Sequence, residues 1–214
     1  MIIDIIVKPY GGHPMRVTKE VAASNRRKIL ETATQLFKTR GIDNVSVADL
    51  TKAAGFTHGG FYNHFESKAD LAIETIRYAF EQSLSEISGE GATTTGDLIP
   101  MAERLANYLS REHRDEPTGG CPTGSLPVDV GRQAVGAQRA FAEGLERYVG
   151  LIEGVFPSNA RRKREAAIAI LSTLVGAIIL SRAVRDAHPD LSDEILRAAR
   201  VDGGGPSAAD SRFC

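Results

Sequence analysis

A run of hydroxyl, amide and imidazole side chains, followed by one ammonium, stands out in the first third of the chain. These polar side chains belong to Thr57, His58, Tyr62, Asn63, His64 and Lys68. Groups of these types hydrogen bond to phosphate oxygens and to base edges, so their chemistry suits a nucleic acid. Gly59 and Gly60 interrupt the run. Each glycine inside a helix destabilises it by about 1 kcal/mol relative to alanine. Two glycines here therefore indicate that the backbone comes close to another molecule, most simply DNA.

Two short predicted helices hold this polar run in place. Ser46 and Asp49 have the spacing of a capping box, in which a hydroxyl and a carboxylate satisfy free amides of the first turn. Gly55 stands where a left-handed residue ends a helix. A tight turn that joins two short helices has the dimensions of a helix-turn-helix, which we predict over residues 47–65.

The second short helix, predicted over residues 58–65, carries most of the polar side chains. Thr57 is its predicted N-cap, and Phe61 and Phe65 fall on one face because they are four residues apart. We expect the two rings to anchor the helix in the core and the opposite face to enter the major groove. Periodicity alone leaves a second interpretation open, namely an ordinary helical hairpin with a solvated polar face.

Charge is distributed unevenly along the chain. The 214 residues include 26 Lys and Arg against 27 Asp and Glu. Between Arg16 and Lys68, however, nine basic residues stand against five acidic ones, a balance of +4 that leaves the remainder acidic. A basic module attached to an acidic body fits a phosphate-binding head, although a solvated charged face has the same composition.

Helical periodicity continues along the rest of the chain, and no segment shows the two-residue alternation of a strand. We therefore predict an all-α protein. Its predicted parts are a flexible arm over residues 1–20, a helix-turn-helix domain over 21–68, a helical body over 69–202 and a disordered tail over 203–214. Residues 1–14 show no helical period, so we expect either that Met15 is the natural start or that residues 1–14 are dispensable. The predicted helices outside the helix-turn-helix span 25–40, 67–88, 97–111, 128–137, 138–156, 161–187 and 193–200.

The sequence indicates neither a metal site nor a disulfide framework. Its two cysteines, Cys121 and Cys214, are far apart and match no metal-binding spacing. We therefore expect a protein without cofactors in the reducing cytoplasm. The longest apolar stretch, residues 166–180, has about 15 residues, which is short of the ~20 that span a bilayer. A membrane partner is accordingly not expected.

Residues 29–71 resemble the DNA-binding head of the tetracycline-repressor (TetR/AcrR) family of transcriptional regulators. The resemblance rests on ILETATQLFKTRGIDNVSVADLTKAAG and GFTHGGFYNHFESKADL, and its most specific part is the pattern F-Y-x-H-F-x-x-K. It implies a three-helix head and a larger helical body that binds a small ligand and dimerises. By position it implies phosphate contacts from Tyr62, His64 and Lys68. It also implies that the groove-facing side of the second helix is lined by Thr57, His58, Gly59, Gly60 and Asn63.

Two C-terminal segments, 164–185 and 191–200, resemble the last two helices of the same family, which form a four-helix interface between subunits. Apolar residues over 168–179 cover more than one face of their helix, which independently favours an interface. A central core helix in a monomer explains that pattern as well. The predicted interface consists of Ile168, Leu171, Val175, Gly176, Ile178 and Ile179.

The resemblance implies a one-component regulator, by default a repressor, that a small molecule releases from its DNA. We expect a homodimer on a roughly palindromic double-stranded operator, because a two-fold dimer presents its recognition helices symmetrically. We expect no catalytic residues. The candidate effector contacts, which core packing explains equally well, are Met101, Tyr108, Cys121, Phe141 and Tyr148.

Cys121 supports two alternative functions. It lies in a Gly- and Pro-rich loop over residues 116–127, and the segment GGCPTGSL resembles a subgroup of the same family with a similar cysteine. A reactive thiol there would sense electrophiles or oxidants, whereas a free cysteine more often simply packs in a core. A cysteine-dependent enzyme with His113 or His188 as its base is the other alternative, and no catalytic motif surrounds these residues.

Overall fold

The structure, a computed structural model, describes residues 18–88, 107–116, 118 and 120–200. Helices make up most of these residues and no strand occurs among them, so the prediction of an all-α protein is confirmed. A 3-10 turn spans Pro122–Gly124. The α-helices in chain order are α1 (Lys19–Arg40), α2 (Val47–Ala54), α3 (His58–Tyr62), α4 (Lys68–Ser88), α5 (Arg111–Asp115), α6 (Pro127–Val130), α7 (Val135–Glu153), α8 (Lys163–Val184) and α9 (Pro189–Ala198).

Helices α1 to α3 form the N-terminal head. Helix α1 begins at Lys19 rather than at residue 25, because the hydroxyl of Thr18 accepts a hydrogen bond from the amide of Val21 and caps it. The last residues of the predicted arm are therefore helical. Helix α3 ends at Tyr62 rather than at residue 65. The remainder of the predicted arm, residues 1–17, and the predicted tail lie outside the described residues.

Helix α4 joins the head to the body. On the head side it packs against α1, where Arg26 pairs with Glu74 and the hydroxyl of Tyr78 donates to Glu31 at 3.2 Å. On the body side it packs against α7, whose Gly144 faces the ring of Phe80. One continuous core therefore runs from α1 through α4 into α7.

The body helices differ from the predicted ones mainly at their ends. The break expected after residue 137 is absent, and α7 runs without interruption from Val135 to Glu153. Helix α9 begins at Pro189, earlier than predicted, because the ring of His188 accepts from the amide of Leu191 and proline suits the first helical position. The predicted helix over 97–111 lies mostly outside the described residues.

Candidate functional site

The capping box of α2 has the geometry expected from its sequence. The hydroxyl of Ser46 accepts from the amide of Asp49 at 3.1 Å, and the Asp49 carboxylate accepts from the amide of Ser46 at 2.9 Å. Hydrogen bonds from the Ser46 hydroxyl and then its amide lower the pKa of Asp49. Gly55 ends the helix in the left-handed region, with a φ of 76°. These contacts fix the turn that precedes α3.

Helix α3 is held between a cap and two buried rings. The hydroxyl of Thr57 accepts from the amide of Gly60 at 3.1 Å, which confirms the predicted N-cap. The rings of Phe61 and Phe65 are fully buried, with centroids 5.6 Å apart. Since these rings fill the inner side of the segment, the opposite side of α3 faces outward.

The outward side of α3 presents most of the predicted DNA contacts. Thr57, His58, Gly59 and Asn63 are exposed, and Tyr62 has 52 % of its surface exposed. The His58 and Tyr62 rings meet edge to face, with centroids 5.4 Å apart. The structure therefore brings these predicted site residues together on one surface.

The two glycines of α3 differ in their surroundings. A Cβ on Gly59 would meet nothing within 4 Å, so packing inside the chain does not require glycine there. A Cβ on Gly60 would lie 3.2 Å from the hydroxyl oxygen of Thr57 and would crowd the cap. Close approach to another molecule is therefore a reason for glycine at position 59, whereas the N-cap already explains Gly60.

His64 and Lys68 lie at the edge of this surface and are half-buried. Burial first, and then the charge of Arg26, lowers the pKa of His64 and favours its neutral form. The Lys68 ammonium donates to the carbonyl of Asp43 at 3.3 Å, which holds the start of α4 against the loop before α2. The His64 ring is only partly exposed, because it packs edge to face on Phe56.

In the body, three of the five candidate effector residues meet in what we term the phenol–thiol cluster: Tyr108, Cys121, Thr123 and Tyr148. The Cys121 sulfur lies 2.8 Å from the Thr123 hydroxyl and 3.4 Å from the Tyr148 hydroxyl. The Tyr108 hydroxyl lies 3.5 Å from that of Thr123. Burial first, and then proximity to Cys121, raises the pKa values of both phenols. Both phenols are therefore neutral, and the cluster is a hydrogen-bonded polar group inside the body.

Phe141 lies next to the cluster without belonging to it. Its ring contacts Phe80 edge to face at 5.2 Å, and Phe80 contacts Tyr148 at the same distance. Phe141 thus lines the apolar side of the same region. Met101, the fifth candidate, lies outside the described residues.

Two cations that the sequence analysis did not single out hold the loop that carries Cys121. The Lys38 ammonium of α1 donates to the carbonyls of Thr118 at 3.1 Å and Gly120 at 2.5 Å. The Arg182 guanidinium of α8 donates to the carbonyls of Arg114 at 2.9 Å and Gly124 at 2.8 Å. Apart from the Ser125 hydroxyl, which accepts from Arg182 at 3.3 Å, these acceptors are backbone carbonyls. Backbone carbonyls leave no side-chain pattern from which sequence reasoning could find these contacts.

Comparison with known proteins decides the family. The model described as bacterial regulatory proteins, tetR family, matches residues 29–75, which contain the whole helix-turn-helix. The chain belongs to the TetR family of transcriptional regulators. Among its relatives, the transcriptional repressor DhaR of Mycobacterium sp. (strain GP1) is 27 % identical over 77 % of this chain and 85 % of DhaR. The regulator AcrR of Shigella flexneri is 42 % identical over 44 % of each chain.

Solved structures share the fold of this TetR-family chain. The reduced form of NemR from E. coli covers 83 % of this chain and 93 % of its own, with 18 % identity and a TM-score of 0.66. A TetR-family regulator from Agrobacterium tumefaciens covers 83 % and 96 %, also with 18 % identity and a TM-score of 0.66. The helical body therefore has the fold of TetR-family proteins, although its sequence has diverged.

Helix α8 of this TetR-family chain corrects part of the predicted interface. Leu171 and Ile178 are buried within the single chain, so they cannot supply an exposed surface. Ile168 and Leu180 are exposed, and a Cβ on Gly176 would meet nothing within 4 Å. By length and composition α8 could cross a membrane, yet core helices of soluble proteins pass the same test. Within the single chain, 28 % of the most apolar 18-residue stretch of α8 is buried.

The geometry around Cys121 gives no support to the enzyme alternative. The His113 ring bonds to the backbone on both sides, with Nδ1 2.8 Å from the Tyr108 carbonyl and Nε2 accepting from the Cys121 amide at 3.4 Å. His188 caps α9. Each imidazole is therefore engaged away from the Cys121 sulfur, and no nucleophile–base pair is formed.

Proposed function

We propose that the protein is a dimeric, cytoplasmic repressor that binds operator DNA through α3 and releases it when a small molecule binds the body. The carrying observation is the exposed polar side of α3, opposite the buried rings of Phe61 and Phe65. An exposed row of donors on a rigidly anchored helix fits the major groove. The repressor assignment is supported by the name of DhaR, a relative aligned over most of both chains.

The contacts to DNA divide into two kinds in this proposal. Tyr62, His64 and Lys68 bond to phosphates and fix the position of the head. The bases are read by the groove-facing side of α3. Gly59 has open space around it, so DNA can approach its backbone closely. The groove-facing residues are Thr57, His58, Gly59, Gly60 and Asn63.

The dimer interface in this proposal is the uncovered apolar side of α8, with α9 beside it. Ile168 has 43 % of its surface exposed and Leu180 has 58 %. Burial of exposed apolar side chains stabilises a complex by about 25 cal/mol per Å². When the same face of a second copy packs against this one, the apolar side chains of both copies are buried. The symmetric pair of heads then binds a roughly palindromic operator. The interface residues are Ile168, Val175, Gly176, Ile179 and Leu180.

The effector site in this proposal is the region between the phenol–thiol cluster and Phe141. Two phenols, a thiol and a hydroxyl on one side and aromatic rings on the other suit a small molecule with one polar end. The effector must bind the DNA-released conformation better than the DNA-bound one, because equal affinity would shift nothing. The thiol-sensor alternative is not favoured, since the Cys121 side chain is half-buried and its sulfur is hydrogen bonded to two hydroxyls.

The test is selection of duplexes from a random DNA library by the wild-type protein, followed by affinity measurements across a salt series. We expect an enriched, roughly palindromic duplex. Lys68→Ala should weaken binding to every sequence and reduce the slope of log affinity against log salt by about one. Asn63→Ala should instead change the preferred bases. Failure to enrich any duplex, or an unchanged salt slope in Lys68→Ala, would contradict the proposed docking.

A further inference from the structure

The C-terminal end of α1 and the loop after it meet one segment of the body along what we term the head–body seam. On the head side the seam consists of Lys38, Gly41 and Asp43, and on the body side of Thr118, Gly120, Asp129 and Gln133. The Gln133 amide donates to the Asp43 carboxylate at 2.8 Å. A Cβ on Gly41 would lie 2.9 Å from the Asp129 carboxylate, so the Asp129 side chain lies close against the Gly41 backbone. The seam is a second link between head and body, separate from α4.

Lys38 is the charged contact of the seam. Its ammonium is half-buried and donates to two carbonyls of the loop, those of Thr118 and Gly120. Burial is the main cause that lowers its pKa, and Arg182 acts in the same direction, whereas Cys121 and Glu86 oppose the shift. A half-buried ammonium that loses its acceptors must either find others or return to water. Movement of the loop therefore changes the surroundings of the Lys38 side chain at the end of α1.

The same loop is tied to the proposed effector site and to α8. Cys121 follows directly after Gly120, and its sulfur lies within the phenol–thiol cluster. On the far side of the loop, Arg182 holds the carbonyls of Arg114 and Gly124. Lys38 binds the carbonyl of Gly120, the residue next to Cys121. A ligand that displaces the Cys121 side chain therefore also moves this carbonyl.

We propose that Lys38 couples the state of the body loop to the DNA-binding head. This inference rests on the proposed function, because it assigns the contact through which effector binding reaches α1. Helices α1 and α2 pack against each other, and α2 packs against α3, so a shift at the end of α1 changes the placement of the recognition surface. Coupling between sites is reciprocal, so DNA bound at the head must also change the loop.

The experiment compares amide hydrogen exchange in the full chain for wild type, Lys38→Met and Arg40→Met. Arg40 is exposed at the same end of α1, so its substitution removes one charge without touching the seam. Free Lys38→Met should exchange at least fivefold faster both in the loop over 118–124 and in helices α2 and α3. Arg40→Met should match wild type in both regions. Lys38→Arg, which keeps charge and donors, should restore protection in both.

Each outcome decides for or against the coupling. Faster exchange in the loop alone, with α2 and α3 unchanged, would overturn it, and so would wild-type protection throughout Lys38→Met. Faster exchange over the entire chain would mean lost stability rather than coupling, and would also count against it. A second arm adds a duplex selected by the wild-type protein, which should change loop exchange in wild type and not in Lys38→Met. If no duplex is selected, the proposed function fails, whereas the first arm still decides the coupling.

Discussion

Phe80 of α4 occupies the space that Gly144 of α7 leaves open. A Cβ on Gly144 would overlap the Phe80 ring, which also contacts Tyr148 of the phenol–thiol cluster. Glycine at this position therefore lets α4, the helix that carries the head, lie directly against the wall of the proposed effector site. Tight packing of this kind transmits displacement, because a close-packed interior has no free volume to absorb it.

Gly144→Ala should destabilise the protein by about 1–3 kcal/mol, because the added methyl group forces the Phe80 ring or α4 to shift. Gly150→Ala is the matched control on the same helix, since a Cβ there would meet nothing within 4 Å. That control should raise stability by about 0.5–1 kcal/mol through reduced chain entropy. Urea unfolding of both variants measures the difference. Equal stability of the two variants would show that α4 and α7 are not in close contact.

The head could be predicted well from the sequence because its signals are local. The capping box of Ser46 and Asp49, the N-cap at Thr57 and the buried pair Phe61 and Phe65 each depend on residues a few positions apart. Helix propensity and capping are properties of a single segment. Because these local signals agree with one another, they suffice to orient the polar side of α3 outward.

The body was predicted less completely because its contacts join distant parts of the chain. Leu171 and Ile178 looked like interface residues, since a helix that is apolar on several sides does not reveal which side faces its own core. Lys38 and Arg182 bind carbonyls of an irregular loop, and any residue type supplies such an acceptor. Periodicity carries no information about either feature.

Gly59→Ala should separate the stability of α3 from its fit to DNA. The free protein should be unchanged or more stable by up to about 1 kcal/mol, because the methyl group meets no atom of the chain and alanine favours a helix. Affinity for the selected duplex should fall roughly tenfold, or about 1.4 kcal/mol. Fluorescence anisotropy measures the affinity, and Gly150→Ala serves as the control without effect on DNA. Unchanged DNA affinity in Gly59→Ala would rule out close approach of DNA to this backbone.

Gly176→Leu should weaken the dimer without unfolding the protomer. A Cβ at Gly176 has open space in the single chain, so a bulky side chain collides only with a second copy. We expect the dimer dissociation constant, measured by sedimentation velocity, to rise at least tenfold, or roughly 1.4 kcal/mol. Gly150→Leu places the same side chain at another open glycine on α7 and should leave the dimer intact. An unchanged dissociation constant in Gly176→Leu would show that the dimer interface does not include this face of α8.

His113 should make stability depend on pH. Burial is the main cause that lowers its pKa in the folded protein, and the charges of Arg182 and Lys38 add to it, while a hydrogen bond to the Tyr108 carbonyl opposes the shift. The unfolded chain therefore binds the proton at a higher pH than the folded chain does. The stability contributed by the neutral ring is complete above about pH 6.5, the ordinary value for histidine, and declines as the pH falls below it.

Thermal unfolding between pH 7.5 and 5 tests this dependence. In His113→Gln the side-chain amide can still donate to the Tyr108 carbonyl and accept from the Cys121 amide, but it does not titrate, so its melting temperature should fall less steeply than that of wild type. His58→Gln is the control, because the His58 side chain is exposed on α3 and its substitution should leave the wild-type slope unchanged. Parallel slopes for wild type and His113→Gln would mean that the His113 ring is solvated and that the loop carrying Cys121 stands open in solution.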